Sequence, residues 1–135
     1  MKKNRNQSKR TAPGIPLDQL RLIAQGLGQT FAPFCEVVLH DLTNPAHAIL
    51  SIHNNLSGRD VGQPATEPGL ARIADPDYPP VIANYANRFE DGRQVKSTSI
   101  GIKDADGNYM EVRRSAEIIA AYLGVSRATI YSDTK

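Results

Sequence analysis

The chain has 135 residues, 40% hydrophobic and 22% charged, with a formal charge of +2. This suits one globular domain with a small appendage and excludes wholesale disorder, while so small a net charge does not by itself designate a nucleic-acid partner. No apolar run is long enough to cross a membrane, and Cys35 as the only cysteine allows no intrachain disulfide, which fits a reducing cytoplasm.

The opening "MKKNRNQSKR" holds five of the sixteen Lys and Arg residues, no acid, and no apolar signal-peptide core. Residues 1–14 read as a basic flexible tail, either simply solvated or an arm touching DNA phosphates. "IPLDQLRLIAQGLGQTF" spaces Leu17, Leu20, Ile23, Ala24 and Leu27 three or four apart, which predicts an amphipathic helix ending near Gly26 or Gly28. Cys35 opens a strand-like run, the place of a small buried hydrophobe rather than a nucleophile. "CEVVLHDL" and "AILSIHN", joined by the turn-forming "TNPAH", predict a hairpin. A Gly- and Pro-dense stretch follows, with a short helix at "TEPGLARIA", Thr66 as its N-cap and Pro68 in its first turn. "VIANYANRFEDGRQ" predicts a further short helix or strand and then a turn at Asp91-Gly92.

"QVKSTSIGIKDADGNYMEV" alternates, with Val95, Ser97 and Ser99 on one side and Lys96, Thr98, Ile100 and Ile102 on the other. Asp106-Gly107 predicts a type I′ hairpin turn, with positive φ at both residues. "RRSAEIIAAYLG" then predicts a helix whose apolar face is Ile118, Ile119, Tyr122 and Leu123, stopped at Gly124. The order of elements is that of an α+β fold, an antiparallel sheet with short flanking helices and a helical piece at the end.

"GVSRATIYSDTK" has the pattern of the turn and second helix of a helix-turn-helix. Ala120, Gly124 and Ile130 fit the small contact, the left-handed turn and the apolar anchor. Ser126 is the expected helix cap. Arg127, Ala128 and Thr129 would lie in the first exposed turn, which meets base edges, and Tyr131 would reach a phosphate. The competing reading is an ordinary helical hairpin whose glycine merely ends a helix.

"CEVVLHDL", "NLSGRDVGQPATEPGL", "NYANRFEDGRQVKSTSIGIKDADGNY" and "AEIIAAYLGVSRATIY", in that order, resemble the YheO-like PAS family of bacterial transcriptional regulators with a DauR-type helix-turn-helix. The resemblance covers residues 34–108 and 115–131. It implies a PAS-like sensor of five antiparallel strands cupped by short helices, coupled to a sequence-specific DNA binder, with no catalytic activity. The expected division is a tail at 1–14, a PAS-like sensor at 15–110 and a helix-turn-helix at 111–135. Compared with the family pattern the chain is shortened after Tyr109, leaving only "NYMEV" as a closing strand. A partial last strand exposes an unpaired edge, so a homo-oligomer is expected.

Candidates for a ligand site are His40 and Asp41 at the end of the first strand, Asn54, Ser57 and Arg59 beyond the second, and Lys96, Ser97 and Thr98 on the later strand. Convergent polar groups in an otherwise apolar cleft would suit a small effector with charged ends, such as an amino acid or related metabolite. The competing reading makes Ser57-Gly58-Arg59 a turn with an arginine ion pair and His40 a core-edge histidine. His40, His47 and His53 lack the spacing of a shared metal site. No phosphate loop or catalytic triad has supporting context, so no cofactor and no enzyme activity are expected. The sequence thus predicts a cytoplasmic regulator that binds double-stranded DNA and a small effector. The alternative is a ligand- or protein-interaction module that does not bind DNA by itself.

Overall fold

β-Branched and apolar residues concentrate in five runs that become strands in the computed structural model, which describes residues 14–118. The strands are β1 (Cys35–Asp41), β2 (Ile49–His53), β3 (Val81–Arg88), β4 (Gln94–Lys103) and β5 (Tyr109–Glu117). Among the described residues two α-helices accompany them, α1 (Leu17–Thr30) and α2 (Glu67–Ala74). All five strands form one antiparallel sheet in the order β2-β1-β5-β4-β3. No helix among the described residues is long and apolar enough to cross a membrane.

Alternation gives the sheet two unlike faces. Val37 and Leu39 of β1 with Met110 and Val112 of β5 pack against Leu20 and Ala24 of α1, forming the apolar core. Leu20, Ala24 and Gly28 are the buried positions of α1, each one turn and a fraction from the next, so they line one stripe. Ile23 and Leu27, expected on that stripe, are partly exposed. Cys35 is buried.

Several expectations need correction. Gly26 and Gly28 do not end α1, which runs on to Thr30. Gly28 instead allows close approach, since a Cβ there would lie 2.4 Å from the Cβ of His53. The turn after β4 is not type I′, because Gly107 has positive φ (85°) and Asp106 does not. Asp104 organises it, accepting N–H bonds from Asp106 and Asn108 on Oδ1 and from Gly107 on its carbonyl. Thr66 stands at the N-cap of α2 in extended conformation, yet its hydroxyl makes no capping bond.

The largest correction concerns residues 113–117, expected as the start of a helix. They continue β5, which pairs with β1 from Cys35↔Ala116 to Asp41↔Met110 and with β4 from Val95↔Glu117 to Lys103↔Tyr109. Two ladders of backbone hydrogen bonds override the local helical propensity of "RRSAE". The sheet therefore passes the expected boundary at residue 110. The closing strand is complete and central, and the edges are β2 and β3, so the partial-strand argument for an oligomer lapses. The proposed helix-turn-helix core, with Ser126, Arg127, Ala128, Thr129 and Tyr131, lies outside the described residues, as does nearly all of the basic tail.

Candidate functional site

The sheet face opposite α1 is polar, although it is buried. Glu36 and His40 of β1, Ser97 and Ser99 of β4, and Glu111, Arg113 and Ser115 of β5 are all nearly inaccessible. Register explains the gathering, because Ser115 lies opposite Glu36 and Glu111 lies opposite His40. The same register sets Ser97 opposite Ser115, where their hydroxyl oxygens stand 2.7 Å apart. Charge buried in this way is tolerable only when paired and hydrogen-bonded.

Glu111 is the hub. Its Oε1 accepts from Arg113 Nη2 at 2.7 Å and lies 3.4 Å from His40 Nδ1, while Oε2 accepts from the Ser99 hydroxyl and lies 3.7 Å from Arg72 Nε. Arg72 arrives from α2 and donates to Ser99 Oγ at 2.6 Å, to the Pro79 carbonyl at 2.9 Å and to the Tyr109 hydroxyl at 3.3 Å. Its guanidinium also sits 4.8 Å from the centre of the Tyr78 ring. Arg113 donates through Nη1 at 2.9 Å to Thr66 Oγ1, the hydroxyl that makes no capping bond to α2. Burial would raise the Glu111 carboxyl, but Arg113, His40, the Ser99 bond and Arg72 outweigh it and hold the group below its usual range.

Beside this hub a cavity of about 230 Å³ opens, with Glu36, His40, Ser57, Arg59, Arg113 and Ser115 on its walls. Thr66, Glu67 and Pro68 from the start of α2 and Asn87–Glu90 from the end of β3 complete it. Burial, reinforced by Arg113, lowers the His40 imidazole to about 4, so it is neutral near pH 7 and its approach to Glu111 is not an ion pair. Among the described residues neither ring nitrogen of His40 has a hydrogen-bond partner, nor has Arg113 Nε. Glu36 is better satisfied, its Oε2 accepting from the Leu56 and Ser57 amides at 3.0 and 2.8 Å and from the Ser57 hydroxyl at 2.7 Å. Arg59 donates to Gln63 Oε1 at 3.3 Å and to the Pro64 carbonyl, and forms no ion pair among the described residues. Burial and neighbouring Arg113 lower its pKa.

Of the residues singled out in the sequence, His40, Ser57 and Arg59 come together on the cavity wall. Ser97 shares their face of the sheet and reaches the cavity through Ser115 and Asn87, whose Nδ2 lies 3.3 Å from Ser97 Oγ. The other four lie elsewhere. Asp41 holds the following turn by accepting from the amide and hydroxyl of Thr43. Asn54 ties β2 to α1, donating to the carbonyls of Gly28 at 2.6 Å and Cys35 at 3.0 Å. Lys96 and Thr98 stand opposite Ala116 and Arg114, on the other side of the sheet, and Thr98 Oγ1 accepts from the Asn84 amide at 3.1 Å. Sequence reasoning missed Glu36, Thr66, Arg72, Glu111, Arg113 and Ser115. The available signal was polar residues at period two, Glu36/His40 and Glu111/Arg113/Ser115, within runs otherwise fit for strands. Among the described residues no group of three or more His, Cys, Asp or Glu side chains is placed to hold a metal ion.

A five-stranded antiparallel sheet with a helix on one face and a recessed polar cavity on the other defines a PAS-like α+β domain. Residues 10–112 match the YheO-like PAS domain, and the chain belongs to that family. It is similar to the transcriptional regulator DauR of Pseudomonas aeruginosa, with 36% identity over 97 residues, covering 71% of this chain and 44% of that protein. An uncharacterized protein of Haemophilus influenzae is 27% identical over 89 residues, covering 65% of this chain and 40% of its own length. The matched segment thus spans less than half the length of either relative. No solved structure matches.

Proposed function

We propose that this chain is a cytoplasmic transcription regulator that senses a small metabolite in the sheet cavity and reads double-stranded DNA through its C-terminal residues. The observation that carries the sensor half is a set of buried polar atoms in cavity-wall residues that have no partner among the described residues, both nitrogens of His40 and Nε of Arg113. Buried polar groups in folded proteins nearly always have a hydrogen-bond partner, so such a wall is suited to a ligand or ordered water. His40, Ser57 and Arg59 are the contact residues expected from sequence, joined by Arg113 and Ser115. Support for the regulator half is the family and the likeness to a relative named as a transcriptional regulator.

The DNA-reading half rests on the sequence pattern at Ser126, Arg127, Ala128, Thr129 and Tyr131. Arg113 belongs to β5, the strand that leads into those residues, so a ligand favouring one arrangement of β5 would bias their position. Such bias requires different affinity for the two arrangements. Self-association remains part of the proposal, supported by exposed apolar side chains on and after α1, including Leu22, Ile23 and Phe34. Sedimentation showing a folded monomer at micromolar concentration would remove that part.

The test is selection of duplexes from a random pool by the full chain, followed by affinity measurements over a salt series. A specific reader keeps its preference as salt rises, whereas a basic tail gives weak binding that collapses with salt and ignores sequence. Arg127→Ala is expected to relax base preference by about 1–3 kcal/mol if the contact is bidentate. Absence of any preferred duplex would leave a ligand- or protein-interaction module instead.

A further inference from the structure

The buried and half-buried charges around the cavity do not balance among themselves. Arg72 and Arg113 are buried beside Glu111, and Arg59 is half-buried near Glu36. His40 is neutral, so three guanidinium groups face two carboxylates, Glu111 and Glu36. Glu111 is already committed to Arg113, Arg72 and Ser99, and Glu36 holds the amides of the 56–57 loop. The remaining charged wall residues, Glu67, Arg88 and Glu90, put one net negative charge at the exposed rim, where Glu90 acts on Arg59 but solvent screens it.

We propose that the cavity takes a small monocarboxylate, its carboxylate directed inward against Arg113, His40 and Arg59. One negative charge completes the balance of the buried groups, and its oxygens would accept the hydrogens that Arg113 Nε and the His40 ring offer to no acceptor among the described residues. Hydrogen bonds from charged donors to a carboxylate are about twice as strong as neutral ones, and stronger still where water is excluded. A cationic group directed inward would meet two guanidinium groups and Glu36, whose Oε2 already accepts three hydrogens, because the other wall carboxylates, Glu67 and Glu90, stand at the exposed rim. The volume of about 230 Å³ falls below the range of drug-sized pockets and suits a chain of a few carbons. The Ser57 and Ser115 hydroxyls leave room for a polar substituent on that chain. This assignment rests on the sensor reading and specifies its ligand.

The test uses the full chain with three four-carbon probes, butyrate, butyramide and n-butylamine, followed by calorimetry and by the NMR signals of the His40 ring. Butyrate is expected to bind at least tenfold more tightly than either other probe and to shift those signals. Arg59→Gln should weaken butyrate at least tenfold and leave butyramide within twofold, while Arg59→Lys, which keeps the charge, should remain within about threefold of the parent. Butyramide or butylamine binding as tightly as butyrate overturns the charge assignment and leaves a ligand cavity standing. If none of the three moves the His40 signals, the assignment falls together with the sensor reading on which it rests.

Discussion

Acid should unfold this protein sooner than its carboxylates alone would dictate, because of one histidine. His40 is held to about 4 by burial, and next by Arg113, against 6.5 in an unstructured chain. At pH 5 it is neutral in the fold and charged when unfolded, so the unfolded state binds the extra proton. Stability therefore falls as the pH drops from 6.5 toward 4, by up to ~1.4 kcal/mol per pH unit. Over the window the loss is about 3 kcal/mol, a large part of the ~5–15 kcal/mol typical of a domain. Above pH 6.5 the ring is neutral in both states and adds no slope. Glu111 acts in the same direction, but its contribution disappears only as pH falls through its depressed folded value. Urea unfolding at half-unit steps from pH 4 to 8, on the parent and on His40→Gln, separates the two. The parent should lose about 3 kcal/mol relative to the variant across the window. Parallel stability curves would refute the assignment of that slope to a buried neutral imidazole.

The hub, the helix contact and the β2 turn each give a further measurement. Glu111→Gln leaves Arg72 and Arg113 buried without their counter-charge and should cost about 3–5 kcal/mol at pH 7, read from the urea midpoint; a cost below ~1 kcal/mol would mean those charges are solvated. Gly28→Ala sets a Cβ against His53, so it should destabilise by about 1–3 kcal/mol rather than give the ~1 kcal/mol gain of an unobstructed helix position. A raised melting temperature for that variant would show that the helix and β2 can separate freely. Asn54 has φ 57° and two side-chain bonds to carbonyls, so Asn54→Ala should lose about 2–4 kcal/mol, and Asn54→Gly should recover the backbone share of that loss. Equal melting temperatures for the two variants would exclude a backbone contribution.

Much of the framework was legible because period and turn chemistry agree locally. Alternation through 94–102 identified β4, and "TNPAH" between two apolar runs identified the first hairpin. Residues 113–117 were misread because their inward side chains, Arg113 and Ser115, are polar. A strand that buries charge on one face lacks the pattern on which strand recognition depends. The same property hid half of the cavity. His40, Ser57 and Arg59 were legible as polar groups at element ends, whereas Arg113, Glu111 and Arg72 acquire meaning only from long-range register and from the placement of α2. Asn54 and Asp41 were drawn toward the site by proximity in sequence, but each satisfies nearby backbone instead.

The placement of β5 in the middle of the sheet also bears on how the protein is made. When residues up to Gly107 have emerged from the ribosome but 109–117 have not, the emerged chain can form two separate hairpins, β1–β2 and β3–β4, without the strand that joins them. Both hydrophobic and charged faces then wait for one late segment to zip between them. Contacts so distant in sequence slow folding and prolong exposure of bare strand edges. A pause that holds the chain with Asn108 just emerged should therefore present chaperones with an unjoined pair, and emergence of the next nine residues should complete the sheet in a single cooperative step.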